Sequence, residues 1–150
     1  MAKSAVLDLF REESIDAKVL SLSVPGVTPS VNHLYMNTRG GGKRLTSKAE
    51  RYIRDSRALI NLAIQEQSWT KPNRSVWLYI DMVFYFDDRR IRDSHNCLKL
   101  LLDVMQGIVY RNDYFVLPRI QSVEYDKDNP RVEVRIYPQS ASSRTAGINN

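Results

Sequence analysis

The stretch from Ser75 to Phe86 constrains this chain more than any other. Valine, tryptophan, tyrosine, isoleucine and phenylalanine dominate it, and side chains of that shape pack best on a pleated, buried surface. It reads as a long, well-buried strand and is too short to cross a bilayer. Asp87 to Arg92 follows as a charged turn, and Asp93 to Gln106 then carries the clearest helical pattern in the chain. Cys97, Leu98, Leu101, Val104, Met105 and Ile108 share one face, while His95, Lys99, Asp103 and Gln106 recur on the opposite side. Leu100 and Leu102 widen the apolar arc, as either a dimer contact or deeper burial, and burial is the commoner cause. Gly107 stands where the helix is expected to end.

Around this unit the rest of the chain reads as one α+β domain. Lys18 to Val24 alternates in the manner of a strand. Pro25-Gly26 and Pro29-Ser30 open a loop that runs through Asn32 to Lys43, with three glycines at 40–42. That loop reads as a mobile surface segment. Thr46 or Ser47 caps the next helix, and Glu50 stands three after Ser47 in a capping-box pattern. Its apolar positions are Ala49, Tyr52, Ile53, Leu59, Ile60 and Ala63, and Lys71-Pro72-Asn73 ends the unit. Arg119 to Tyr125 and Arg131 to Tyr137 read as two strands joined as a hairpin by 126–130. The expected architecture is a mixed sheet with two main helices packed on it. The expected boundaries are an N-terminal extension at 1–16, a domain at 17–138 and a flexible tail at 139–150. Within the extension, Val6, Leu7, Leu9 and Phe10 are compatible with a short amphipathic turn.

Composition narrows the function classes. The chain has 150 residues and a single cysteine, Cys97, which excludes an internal disulfide and suits a reducing compartment. No segment reads as membrane-spanning and the start lacks the apolar core of a secretory signal, so a cytoplasmic location is expected. The net charge of +5 points to a polyanionic partner, nucleic acid first.

Candidate chemistry gathers where the buried strand meets the clear helix. Asp93 stands at the helix start, where a lone aspartate is most often a cap. His95 lies two residues on, Lys99 one turn beyond it, and Asp113 in the loop after the helix. Two carboxylates around Mg²⁺ with a nearby lysine make a common kit for phosphodiester hydrolysis, because the metal polarises phosphate and activates water. Lysine then stabilises developing negative charge. Arg89, Arg90 and Arg92 are placed to hold flanking phosphates. The competing reading is a solvated helix face laced with ion pairs.

The stretch Asp88-Arg89-Arg90-Ile91-Arg92-Asp93-Ser94-His95-Asn96-Cys97-Leu98-Lys99, continuing to Asp103, resembles the signature of the RusA family of Holliday-junction resolvases. That signature is a basic run followed by Asp-x-Asp-Asn-x-x-Lys and an Asp-bearing helix. Gly107 to Val116 resembles the family's Gly-apolar segment with its Asp-Asp pair, Pro29-Ser30-Val31-Asn32 its Pro-Ser-x-Asn opening, and Arg44 to Tyr52 the start of its first helix. Order and spacing agree from about Val19 to Tyr137. The resemblance implies a homodimeric, Mg²⁺-dependent endodeoxyribonuclease that makes paired nicks in four-way DNA junctions. Two symmetric cuts in a nearly two-fold junction call for two symmetry-related sites. Asp93 and Asp113 would bind metal, Lys99 would be the catalytic lysine, and Asn96, with Asp103, would support the site.

Three positions depart from the family pattern. His95 replaces its second aspartate, Asn112 the first of its Asp-Asp pair, and Phe115 its glutamine. Fewer carboxylates hold a hard cation less firmly, so Mn²⁺ becomes an alternative to Mg²⁺. His95 has three open roles: third metal ligand, general base, or mark of a disabled site. Asn32, Arg39, Lys43, Arg44, Lys48, Arg51, Arg54 and Arg57, opposed only by Glu50 and Asp55, are expected to grip DNA backbone. His33 and Tyr35 are either base-stacking groups or loop anchors. The rival functions are a junction-binding protein with a weak or silent site, and a general nucleic-acid-binding module.

Overall fold

The computed structural model describes residues 18–73 and 75–139. The extension expected at 1–16 and the tail beyond Gln139 lie outside the described residues.

A four-stranded sheet forms the base of the domain. Its strands are β1 (Leu20–Pro25), β4 (Leu78–Phe86), β5 (Val116–Tyr125) and β6 (Arg131–Pro138), in the order β1-β6-β4-β5. The β6 strand runs antiparallel to both β1 and β4, whereas β4 and β5 are parallel, so the sheet is mixed as expected. Two helices, α1 (Ser47–Glu66) and α2 (Ser94–Met105), complete the main elements. The chain is a single-domain α+β fold.

Strand β4 explains the order. Eight of its nine residues are buried, including Val83 on the face away from the main core. A strand so apolar on both faces needs partners on both edges, and β5 and β6 supply them. The hairpin expected across 126–130 is therefore corrected. β5 and β6 are not paired with each other but flank β4, and the linking loop passes over the end of β4, where Asp126 N–H donates to the Phe86 carbonyl at 2.8 Å. A five-residue connection easily spans two strand spacings of about 4.8 Å each. Sequence pattern sees two adjacent strands and a turn; it does not see a third strand between them.

Both helices contribute to one core with a single face of the sheet. Leu20, Leu22, Val24, Ile80, Met82, Phe84, Val132, Val134 and Ile136 meet Ala49 and Ile60 of α1 and Cys97, Leu100, Leu101, Val104 and Met105 of α2. Leu100 is thus buried, and its place in the wide apolar arc is a core contact. On α1, Ser56 is buried where no apolar residue signalled it, while Leu59 is exposed. The edge strand β1 is closed by Gln67, whose amide accepts from Ser21 N–H at 2.9 Å and donates to the Ser21 carbonyl at 2.7 Å. That pairing blunts an edge otherwise open to further strands.

The other face of the sheet is sealed by its own long side chains. Arg131 lies 3.8 Å over the Tyr85 ring and Arg119 4.0 Å over Tyr79. The guanidinium groups themselves lie on the ring faces, and the Arg131 head is further held by Asp126 and Glu133, each at 2.9 Å. At the centre sits Asp81, 4% exposed, which accepts from Arg119 at 2.6 and 3.1 Å, from the Tyr137 hydroxyl at 2.7 Å and from Gln121 at 3.1 Å. Gln121 reaches it because β5 carries an irregularity opposite Met82 and Val83, which re-aims one side chain.

The segment expected to be a mobile loop is a built hairpin. A 3-10 turn (Val31–His33) leads into β2 (Tyr35–Asn37), which pairs with β3 (Lys43–Leu45). Thr38 N–H donates to the Gly42 carbonyl at 2.8 Å, and Gly41 adopts φ +82, which a side chain would strain. Buried Leu34 and the Thr46 N–H to Leu34 carbonyl bond of 2.8 Å anchor the hairpin base to α1.

Truncating Asp81 leaves the buried Tyr137 hydroxyl and the half-buried Arg119 guanidinium short of an acceptor. Asp81→Ala is expected to lower unfolding free energy by about 3 kcal/mol, and Tyr137→Phe by about 1 kcal/mol. Urea denaturation reads both, and equal effects for the two would contradict the central role of Asp81.

Candidate active site

Asp93 is the N-cap of α2. One carboxylate oxygen accepts from His95 N–H at 3.0 Å and the other from the Asn96 side-chain amide at 3.0 Å. The cap reading of Asp93 therefore holds, and it also fixes the carboxylate in one orientation. Asn96 is the partner that holds it, which gives the expected support role a geometry. The His95 ring stands beside Asp93, with Nδ1 3.5 Å from the carboxylate and its side chain largely exposed.

Asp93 and Asn96 line one wall of a cleft of about 400 Å³. The other wall comes from Ser30, Asn32, His33, Thr46 and Lys48. Asn32 is positioned by the short turn capped by Ser30, and Lys48 by the first turn of α1, whose cap is Thr46. Thr46, not Ser47, is the cap, and Glu50 lies one residue beyond the capping-box position. The start of each helix thus faces the same cleft, and backbone N–H groups at helix starts favour anions. Cys97 also lines the cleft, but its thiol donates to the Thr28 carbonyl at 3.4 Å and burial pushes its pKa up, so it is a poor nucleophile near neutrality.

The basic turn before α2 is braced internally. Arg92 pairs with Asp87 at 3.0 Å and with Asp88 at 3.0 Å, and lies over the Phe86 ring. Arg90 pairs with Asp88 at 2.7 Å, and Arg89 stacks 4.8 Å over Tyr125. Asp87 and Asp88 act here as turn-forming acids. The Arg90 side chain, then the Arg90 N–H, hold the Asp88 carboxyl down to about 2. Of the expected phosphate contacts in this turn, Arg89 and Arg90 remain exposed, whereas Arg92 is a brace.

Lys99, Asp103 and Asp113 do not line that cleft. Lys99 and Asp103 lie on the exposed face of α2, one and two turns past His95. Asp113 opens a 3-10 turn (Asp113–Phe115) immediately before β5, capped by the Asn112 side chain accepting from Tyr114 N–H at 2.9 Å. Tyr114 and Phe115 pack against Trp77, at the start of β4, whereas Asp93 follows its far end. The Tyr110 hydroxyl donates to the Leu102 carbonyl at 2.5 Å, and burial first, then the charges of Asp113 and Asp103, push its pKa upward. Asp103 and Asp113 thus belong to the C-terminal end of α2, and Asp93, His95 and Asn96 to its N-terminal end. Among the described residues no group of three His, Cys, Asp or Glu side chains is close enough to hold one metal ion.

The basic residues of the hairpin and α1 form a surface. Arg39, Lys43, Arg44, Lys48, Arg51, Arg54 and Arg57 are all exposed, and among the described residues only Arg54 is paired, with Asp55 at 3.3 Å. Tyr35 and Met36 are exposed on the same hairpin, so Tyr35 is not a buried anchor. Two exposed apolar side chains had no sequence signal as site neighbours: Ile91, fully exposed two residues before Asp93, and Tyr114, 70% exposed beside Asp113. Periodicity cannot flag them, because both lie in turns.

A family model described as endodeoxyribonuclease RusA matches residues 25–137. No curated protein matches the sequence.

Two outcomes follow from the caps. Asp93→Ala removes an N-cap and is expected to cost about 1 kcal/mol, while Asp93→Asn, which caps equally well, leaves stability nearly unchanged. Thermal denaturation of the two variants separates structural from chemical roles. Because its folded pKa is depressed, Asp88 contributes stability above its unfolded value near 4, and that contribution is lost as pH falls through about 2. A carboxyl-carbon NMR titration of Asp88 with a midpoint near 4 would contradict the Arg90 pairing.

Proposed function

The chain belongs to the RusA endodeoxyribonuclease family, and from that premise we propose that it resolves four-way and other branched DNA junctions by metal-dependent phosphodiester hydrolysis, as a homodimer. Nucleases of this family generally use divalent metals; the proposed ion is Mg²⁺, with Mn²⁺ as the alternative. The observation that carries the reading is the cleft in which Asp93, oriented by Asn96, faces Asn32, His33 and Lys48 across a helix start on each wall. A divalent ion, when bound, polarises the phosphate and lowers the pKa of the attacking water. The protein's own residues do the rest. Asp93 supplies a fixed carboxylate. Lys48 and the N–H groups opening α1 are suited to hold phosphate oxygens, and Lys99 is the lysine proposed to meet developing negative charge. The exposed row Arg39, Lys43, Arg44, Arg51 and Arg54, with Arg89 and Arg90, is proposed to position DNA backbone without reading sequence.

Within one chain the proposed acids do not fit a complete metal site, since Asp93 and Asp113 stand at opposite ends of α2. That dispersal favours a second reading, a protein that binds junctions without cutting them. The domain proposed to carry the function is 17–138. No helix among the described residues is long and apolar enough to cross a membrane. A cytoplasmic location, where such DNA would be met, is part of the proposal.

Cleavage of a synthetic four-way junction beside linear duplex decides between the readings. Junction-selective nicking with Mg²⁺ or Mn²⁺ is expected, and Asp93→Asn should slow it by at least about 100-fold, beyond the loss typical of residues that only orient a ligand. Tight binding with no cutting under either ion would leave the binding reading standing. In binding assays, neutralising Arg44 or Lys48 should each reduce the salt slope by about 1.

A further inference from the structure

We propose that a cavity between the α1–β4 linker and the turn before β5 takes one unpaired base of the DNA substrate, with Phe115 stacking on the base and Arg111 holding the adjoining phosphate. The inference rests on the branched-DNA reading above and adds to it a site for a single nucleotide, separate from the Asp93 cleft.

The cavity holds about 430 Å³ and lies where β4 and β5 start side by side, with Leu78 paired to Val116. Two chain segments enclose it, and side chains fasten them together. Trp69 Nε1–H donates to the Val109 carbonyl at 3.0 Å, and Lys71 Nζ donates to the Gly107 carbonyl at 2.9 Å. Buried Leu78, Tyr110 and Val116, with half-buried Phe115, give the lining its apolar part. The Phe115 ring meets Trp77 edge to face at 5.3 Å, so its orientation is set before any ligand arrives. Exposed Arg111 and Asn112 give the polar part. The Asn112 side-chain oxygen accepts from Tyr114 N–H at 2.9 Å, which leaves its amide N–H groups to donate. Arg111 has no ion-pair partner among the described residues.

Three features select the occupant. An aromatic ring beside amide and guanidinium donors suits a flat heterocycle with hydrogen-bonding edges that is tied to an anion, and a nucleotide is that combination. The volume falls in the range of about 300–1,000 Å³ that encloses one small ligand. A base stacked in duplex has no free face to offer, so the occupant is unpaired or extruded, as bases at a branch point are. The third feature is in the sequence. Of the three positions that depart from the family pattern, two line this cavity: Asn112 stands where an aspartate is expected, and Phe115 where a glutamine is. The first change removes a carboxylate that would neutralise Arg111 and repel phosphate. The second replaces an amide with an aromatic face. Both favour an aromatic anion at the same place.

Binding measured without divalent ions tests the site apart from cleavage. The probes are a four-way junction, a duplex with a single bulged thymine, and the same duplex with an abasic residue in the bulge. The full chain is expected to bind the bulged thymine about 10-fold more tightly than the abasic bulge. Phe115→Leu should abolish that preference. Asn112→Asp, which keeps the turn cap, should weaken binding of the thymine bulge by about 5-fold through repulsion of phosphate. Arg111→Gln should weaken both bulges alike and lower the salt slope by about 1. Iodouracil in the bulge should cross-link on irradiation to the peptide spanning 107–116. If Phe115→Leu fails to fold, the cross-link decides, and its absence from that peptide overturns the site. Equal wild-type affinity for the two bulges, with the junction still bound, overturns the base site alone. Failure to bind the junction at all overturns the branched-DNA reading as well. Conversion of a dimer to monomers by Asn112→Asp, with no base preference in the wild type, shows the cavity filled by a second copy and ends the proposal.

Discussion

The parallel pairing of β4 with β5 governs most of this molecule. β4 is buried on both faces, so it takes a neighbour on each edge, and one of those neighbours runs in its own direction. A parallel pair cannot be closed by a tight turn; it requires a crossover of a dozen residues or more, here α2 with its flanking loops. The crossover fixes where α2 begins and ends relative to the sheet. It therefore also fixes where the residues at its two ends can act. The apolar side of α2, Cys97 to Met105, secures this placement by joining the common core.

Around that frame the chemistry divides by position. The N-terminal end of α2 offers a carboxylate that is capped, oriented and open to a cleft, opposite the start of α1. The preceding turn holds the cap in place through Arg92 and the two acids Asp87 and Asp88, so part of its positive charge is spent locally. The free positive charge lies on the β2–β3 hairpin and α1, where exposed arginines and lysines line an outward surface. Such a division suits a protein that must hold a polyanion by its backbone while exposing one phosphate to an acidic centre, because a long-range basic field and a local carboxylate interfere least when separated.

The sheet face away from the helices obeys a different rule. It has no covering layer among the described residues, yet Val83 and Tyr137 are buried there. Arginine guanidinium groups laid over tyrosine rings exclude water from the strand surface, and the one deeply buried acid among the described residues, Asp81, is satisfied by three side chains. A buried carboxylate without such partners would strongly oppose folding. With them it ties β4, β5 and β6 together on the exposed side.

Much of this was legible in the amino-acid sequence. The start of the first helix, the helix at Ser94–Met105, the buried strand ending at Phe86, the cap at Asp93 and the stop at Gly107 follow from periodicity and backbone preference, which act over a few residues and leave local marks; the first helix itself stops at Glu66, short of the expected end at Lys71-Pro72-Asn73. The family signature around Asp93 and Lys99 was readable for the same reason, since its residues lie within two helical turns. Properties that depend on distant segments were not. Nothing in 126–130 tells that β4 lies between β5 and β6, and nothing in Arg39 to Lys43 separates a mobile loop from a hairpin anchored by Leu34. Sequence spacing brought Asp93 and Asp113 near one another on paper, with only a helix and a turn between them. Tertiary structure alone decided that the chain after that helix does not return Asp113 to Asp93, because the place where β5 starts is set by pairing with β4 and not by any residue between the two acids.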